Sequence, residues 1–192
     1  WDALKEKYKP YCMAASTKTD FMYMYNNMLG QLNASHMGLY GRDREKTQSE
    51  QTGLLGIEIK PVVEGVEVIR IVPDSPADKL SSKLNEGDVI LAVNGEKVTP
   101  KISFWSLLNN AVDTKVLLNV KNKQGAQREV AIRPTGSLRT ELYDEWVKDR
   151  RKLVDTYSNG RLGYLHIRGM DMPSFERFER ELTAAGHGKD AI

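Results

Sequence analysis

Leu84-Asn85-Glu86-Gly87-Asp88-Val89-Ile90-Leu91-Ala92-Val93-Asn94-Gly95 decides how this chain reads. Residues 88–93 are a short run rich in Val and Ile, bounded on both sides by turn residues, as a strand requires. Asn94-Gly95 then supplies a strong tight-turn signal, because both residues tolerate positive φ. Working outward, further strand-like runs fall at 56–60, 66–72, 115–121 and 128–133. Lys123-Gln124-Gly125 reads as a second hairpin connection. A short helix starting near Pro76 and another over 103–111 interrupt the strands. The pattern predicts a small barrel-like domain with two helices over 52–135.

The flanks are helical. Trp1, Leu4, Tyr8, Tyr11 and Cys12 recur at spacings of three and four and predict one apolar helix face. Thr19 and Asp20 offer a cap for a second helix, along which Phe21, Met24, Tyr25, Met28, Leu29 and Leu32 form a stripe suited to core packing. Residues 42–51 are polar and charged and read as a linker. Helical periodicity returns at 137–157, with Leu138, Leu142, Trp146 and Leu153 on one face. Asp144, Lys148, Asp149 and Arg151 are expected on a solvated face. Ser158-Asn159-Gly160 stops that helix. Residues 162–168 read as a strand, Pro173 opens a further helix, and Asp190-Ala191-Ile192 resembles the first residues of another strand. One strand and one helix cannot bury a sheet by themselves. The expected fold is therefore α+β in three parts: an N-terminal helical segment (1–48), the barrel-like domain (52–135), and a linker helix leading into the start of a truncated α/β domain (136–192).

Composition narrows the function classes. Apolar residues are 40% and charged residues 28% of the 192, and the formal net charge is +2, which is ordinary for a globular chain. No basic stripe interleaved with aromatics gives nucleic acid as a partner. No apolar run approaches the roughly 20 residues a membrane-spanning helix needs, so membrane insertion is not expected. Cys12 is the single cysteine, so no internal disulfide forms. The chain begins at Trp1 without a signal peptide and reads as a fragment or processed product.

Gly53-Leu54-Leu55-Gly56 followed by Ile57-Glu58-Ile59-Lys60, then Ile71-Val72-Pro73-Asp74-Ser75-Pro76-Ala77, then the stretch quoted first, together resemble bacterial PDZ domains over about 80 residues. A glycine-rich loop can aim successive backbone N–H groups at an anion. The strand after it has an edge to which a partner's C-terminus can add. The resemblance thus implies a peptide site at Gly53, Leu54, Leu55, Gly56 and Ile57, with Phe104, Leu107 and Leu108 shaping the side-chain pocket. The alternative is a closed groove in a module that only positions its neighbours.

Ser35-His36 is the second feature. Alone it is weak, but its surroundings are informative. Leu29-Gly30-Gln31-Leu32-Asn33-Ala34-Ser35-His36 precedes the PDZ-like region, and Trp146-Val147 and Gly160-Arg161-Leu162-Gly163-Tyr164-Leu165-His166-Ile167 follow it. This order resembles the tricorn-type branch of the tail-specific serine peptidases. Gln31, where an acidic residue is usual, and Arg168-Gly169 are small departures. The resemblance implies a ClpP/crotonase-like peptidase fold for the truncated α/β part. It makes His36 the general base and Ser35 the tetrad serine, with the nucleophile, the oxyanion-hole glycine and the glutamate beyond Ile192. An imidazole titrates near neutrality and suits the base role. If residues 35 and 36 are extended, they point to opposite faces, so Ser35 supports His36 and is not its nucleophile.

The remaining candidates are weaker. His166 beside Tyr164 reads as structural, His187 lies in a glycine-rich exposed stretch, and Cys12 reads as a buried thiol. The histidines have no metal-ligand spacing, and no cofactor or metal is called for. The sequence therefore predicts part of a serine peptidase acting on peptides or unfolded protein, inactive as this chain alone. A homo-oligomer completed by parts outside the chain is expected, in the cytoplasm or alternatively the periplasm. The competing expectation is a non-enzymatic PDZ scaffold.

Overall fold

The computed structural model describes residues 1–41 and 49–192, so most of the linker expected at 42–51 lies outside the described residues. The chain divides into two compact units, Trp1–Ser49 and Glu50–Ile192.

In the first unit, α1 (Asp2–Ala14) and α2 (Lys18–Gly30) are joined by a short turn. The cap of α2 is Thr17, two residues before the expected Thr19. Its hydroxyl accepts from Asp20 N at 3.1 Å and donates to Asp20 Oδ2 at 2.8 Å. The Thr17-x-x-Asp20 spacing satisfies a free first-turn donor and sets a negative charge at the positive helix end. The apolar face of α1 is only partly covered: Trp1 and Tyr11 are mostly exposed, and Cys12 is half-buried, not buried. On α2, Met28 and Leu29 are buried and Phe21 stacks on Tyr25 at 6.0 Å.

The second unit is built on β1 (Ile57–Val62), β2 (Gly65–Ile71), β3 (Val89–Val93), β4 (Glu96–Lys97), β5 (Val116–Lys121) and β6 (Gln127–Ile132). They form one antiparallel sheet in the order β1-β2-β3-β5-β6, with β4 hairpinned onto β3. The five longer strands fall within two residues of where the sequence puts them. β4 was not expected, and it exists because Asn94 (φ 49°) and Gly95 (φ 84°) fold the chain straight back. Alternate residues of β5 and β6 (Val116, Leu118, Val120, Val130, Ile132) face a shared core with Val68, Leu84 and Ile90. Leu54 and Thr135 exchange both backbone hydrogen bonds, at 2.8 and 2.9 Å, so the segments flanking β1 and β6 meet and the sheet closes toward a barrel.

Both expected helices of this domain are shorter than predicted. Near Pro76 there is only a 3₁₀ helix at Leu80–Ser82, because Ala77 N binds Leu55 O and Leu84 N binds Ala77 O, which commits the backbone to a loop. In place of a helix over 103–111 there is a 3₁₀ helix at Phe104–Leu108. It stops where Asn110 turns left-handed (φ 57°) and its N–H goes to Gln51 O.

α3 (Arg139–Tyr157) and α4 (Met172–Gly186) complete the second unit. Asn159 and Gly160, both at positive φ, end α3. The face of α3 expected to be solvated is largely ion-paired: Asp144 with Arg177, Lys148 with Asp74 and Arg151 with Glu181. Residues 162–168 are not a strand. A strand needs a neighbour along its length, and among the described residues only 190–191 come alongside, in one parallel bridge between Leu162 and Ala191. His166 keeps the structural role expected of it: the Tyr143 hydroxyl lies 2.7 Å from its Nδ1, and Trp146 meets its ring edge-on at 4.9 Å.

Candidate functional sites

Ser35 and His36 lie in the first unit, on a loop leaving the C-terminal end of α2. The helix runs out through turns from Gln31 N to Met28 O and from Leu32 N to Leu29 O. Asn33 (φ 50°) and His36 (φ 63°) are then left-handed. The segment is a turn and not an extended run, so alternation along a strand does not separate the two side chains here. Both residues are exposed. The chain then returns along α2. Asn26 takes Leu39 N on its Oδ1 at 2.6 Å and gives its Nδ2 to Leu39 O at 3.0 Å. Two residues on, Gly41 sits so close to Met22 that an added Cβ would be 3.0 Å from the sulfur. Met22 and Asn26 are four apart and share one face of the helix, so residues 39–41 run antiparallel to α2 with 31–38 projecting as a loop.

The expected peptide-binding residues lie in the second unit. Gly53 and Leu54 are already committed: Gly53 N binds Leu108 O at 2.8 Å and Leu54 N binds Thr135 O at 2.8 Å. The carbonyls of Leu55 and Gly56 accept from Ala77 N and Val72 N. The N–H groups of Leu55 and Gly56 have no acceptor among the described residues. Leu55 (0% exposed), Ile57, Phe104 and Leu108 are core residues, and Leu107 packs against that core half-buried. Gly56 (φ +82°) adopts a conformation that favours glycine. A Cβ there would fall 2.1 Å from that of Ser75, while at Gly53 it would fall 2.6 Å from Pro134 Cβ.

A groove of about 390 Å³ does run beside β1, toward its far end. Ile59 and Val62 form one wall, and Pro100, Ile102, Phe104 and Trp105 the other. β1 is an edge strand, and Pro61 lies on it, where a proline is tolerated. Ile59, Ile102 and Trp105 were not foreseen as site residues. Ile59 could have been found from its two-residue spacing to Ile57 on the strand. Behind the hairpin, Arg70 bridges Glu58 (2.7 Å) and Glu145 of α3 (2.5 Å). Hydrogen bonding to Glu145 and then Glu58 raises the guanidinium pKa above its already high ordinary value.

Among the described residues no cluster of His, Cys, Asp and Glu is suited to a metal ion, and no helix is long and apolar enough to cross a membrane.

Comparison with known proteins fits this architecture. Residues 53–137 match the family described as the tricorn protease PDZ domain. Tricorn protease homolog 2 of Streptomyces coelicolor is 32% identical over 95% of this chain and 17% of its own length. The tricorn protease homolog of Saccharolobus solfataricus is 28% identical over 100% of this chain and 18% of its own. The chain thus spans less than a fifth of each of these two relatives. The crystal structure of the tricorn protease superposes with a TM-score of 0.77 at 22% identity, over 93% of this chain and 18% of that one. That likeness is one of fold. Residues 53–137 therefore match the tricorn protease PDZ domain, and nearly the whole chain is similar to a part of the tricorn-type proteases.

Proposed function

We propose that this chain is the PDZ-bearing part of a serine peptidase in which His36 is the general base. In this reading, His36 takes the proton from a serine hydroxyl supplied by sequence outside these 192 residues. Ser35 supports the imidazole and is not the nucleophile. The observation that carries the proposal is an exposed Ser35-His36 turn, held to α2 at Leu39, in a chain matched nearly end to end by tricorn-type proteases. The parallel bridge from Leu162 to Ala191 around α4 supports reading 136–192 as a linker helix and the opening of the α/β peptidase domain. Assembly into a homo-oligomer and a cytoplasmic location belong to the same proposal.

The test is turnover of a fluorogenic peptide by the full-length protein. His36→Ala should lower kcat by about 10³-fold or more. Unchanged turnover in that variant ends the assignment. The 192-residue chain alone should be inactive, and turnover free of contaminating protease would contradict a nucleophile supplied from elsewhere.

For the PDZ domain we infer an extended peptide lying in the groove beside β1, adding to its free edge. The donors proposed for a terminal carboxylate are the N–H groups of Leu55 and Gly56, which have no acceptor among the described residues. A second reading, in which the domain only positions its neighbours, is favoured by one observation: Gly53 and Leu54 are closed by Leu108 and Thr135, and Leu55 is fully buried. Peptides ending in a free carboxylate should bind more tightly than their amides. Equal affinity for both decides for the positioning role.

A further inference from the structure

We propose that Asn26 is a positioning residue for the His36 base; this rests on the catalytic reading given above. Asn26 is half-buried on α2, and its side-chain amide is used twice on one backbone unit, accepting from Leu39 N and donating to Leu39 O. An amide paired in this way reproduces the two-bond exchange of neighbouring strands, and it fixes direction as well as distance. The pairing closes a loop across thirteen positions. Three residues before the clamp sits His36, in a left-handed conformation that a non-glycine residue keeps only when its surroundings hold it.

The other anchors of the loop do not replace this one. Met22 meets Gly41, beyond the clamp, and the α2 turns at Gln31 and Leu32 lie before the first left-handed residue. Between Leu32 and Leu39, no backbone hydrogen bond joins the loop to α2 among the described residues. Tyr40 lies so close to Gly38 that an added Cβ would be 2.4 Å from its hydroxyl, which stiffens the return but ties nothing to the helix. The position of His36 on this unit is therefore set from the returning side by Asn26.

The test uses the full-length protein and a fluorogenic peptide, with rates expressed per active site titrated by a phosphonylating probe. Asn26→Leu, which removes both bonds at similar volume, should lower kcat by about 10²-fold with KM changed by less than about threefold, as expected when a reacting group is displaced by an ångström. Asn26→Asp, which can still accept from Leu39 N but cannot donate to Leu39 O, should recover part of the loss. A merely structural asparagine would reduce the titratable fraction and the melting temperature and leave kcat per titrated site unchanged. That result in either variant overturns the proposal, and Asn26→Asp decides it should Asn26→Leu fail to fold. His36→Ala, run alongside, separates the two failures. An inactive His36→Ala with a fully active Asn26 variant refutes the positioning role alone. An active His36→Ala refutes the base assignment, and the positioning role with it.

Discussion

Replacing Gly56 with alanine should destabilise the second unit severely, and the size of the effect can be worked out from its surroundings. Two costs add. The backbone at Gly56 is left-handed (φ +82°), which costs an L-residue roughly 1–2 kcal/mol. The new Cβ would also fall 2.1 Å from Ser75 Cβ and 2.3 Å from its Oγ. Ser75 is fully buried and cannot swing aside, so relief requires a backbone shift of the kind that costs roughly 1–3 kcal/mol in a packed core. The expected loss is about 2–5 kcal/mol, a large share of the stability of an ordinary domain. Gly95 provides the control. Its φ is +84°, yet nothing lies within 4 Å of its Cβ position, so Gly95→Ala should show the conformational cost alone. Adding Ser75→Gly to Gly56→Ala removes the clashing atoms and leaves Ser75 Cα at an ordinary 3.5 Å. The double variant should therefore recover part of the loss, as coupled neighbours do. Urea denaturation of the three variants and the parent, followed by tryptophan fluorescence, measures each value. If Gly56→Ala costs no more than Gly95→Ala, the clash with Ser75 does not exist and the packing account of this glycine is wrong.

Further predictions test other parts of the structure. Asp88 is buried and accepts from Arg128 Nη2 (2.8 Å) and Asn85 N (3.0 Å); Asp88→Ala should cost about 2–3 kcal/mol in the same denaturation assay, and a loss under about 0.5 kcal/mol would show the pair to be idle. The carboxyl of Asp78 is held below its ordinary value of 3.8, first by Lys83 and then by the N–H of Asp74. A depressed carboxyl pKa adds stability above the unfolded-chain value and loses it as pH falls through the folded value. Asp78→Asn should thus flatten the loss of stability below about pH 4, and unfolding curves that stay parallel to the parent's through that range would refute the ion-pair account. Ile102 lies exposed on the groove wall; Ile102→Glu should weaken peptide binding by about tenfold, measured by fluorescence anisotropy with a labelled peptide, and unchanged affinity would place the peptide elsewhere.

Legibility in the sequence followed the physics of each element. The strands were readable because Val and Ile runs bounded by Gly, Asn and Asp leave few alternatives, and Asn94-Gly95 fixed one hairpin outright. The helix expected over 103–111 was not readable as a short 3₁₀ turn, because what stops it is Gln51, more than fifty residues away, taking the N–H of Asn110. The strand expected over 162–168 failed for a related reason. Its residues suit a strand, but a strand is made by its partner, and no local pattern says whether one is present. Asn26 was invisible for the same cause, since its partner Leu39 lies across a loop and neither residue stands out in composition.

The glycine signature shows how a sequence motif can have two physical origins at once. Gly53-Leu54-Leu55-Gly56 reads as an anion loop because glycines let backbone N–H groups converge. In the structure, each glycine already has a packing reason to be there: Gly53 lets Pro134 approach, and Gly56 lets Ser75 approach. The motif would therefore persist in a domain that binds nothing. What packing does not explain is the pair of N–H groups on Leu55 and Gly56, which have no acceptor among the described residues, while nearly every buried donor in a folded protein finds one. Two adjacent donors of this kind beside an edge strand are what the proposed terminal carboxylate would satisfy, and the comparison of free-carboxylate with amide peptides tests that use of them.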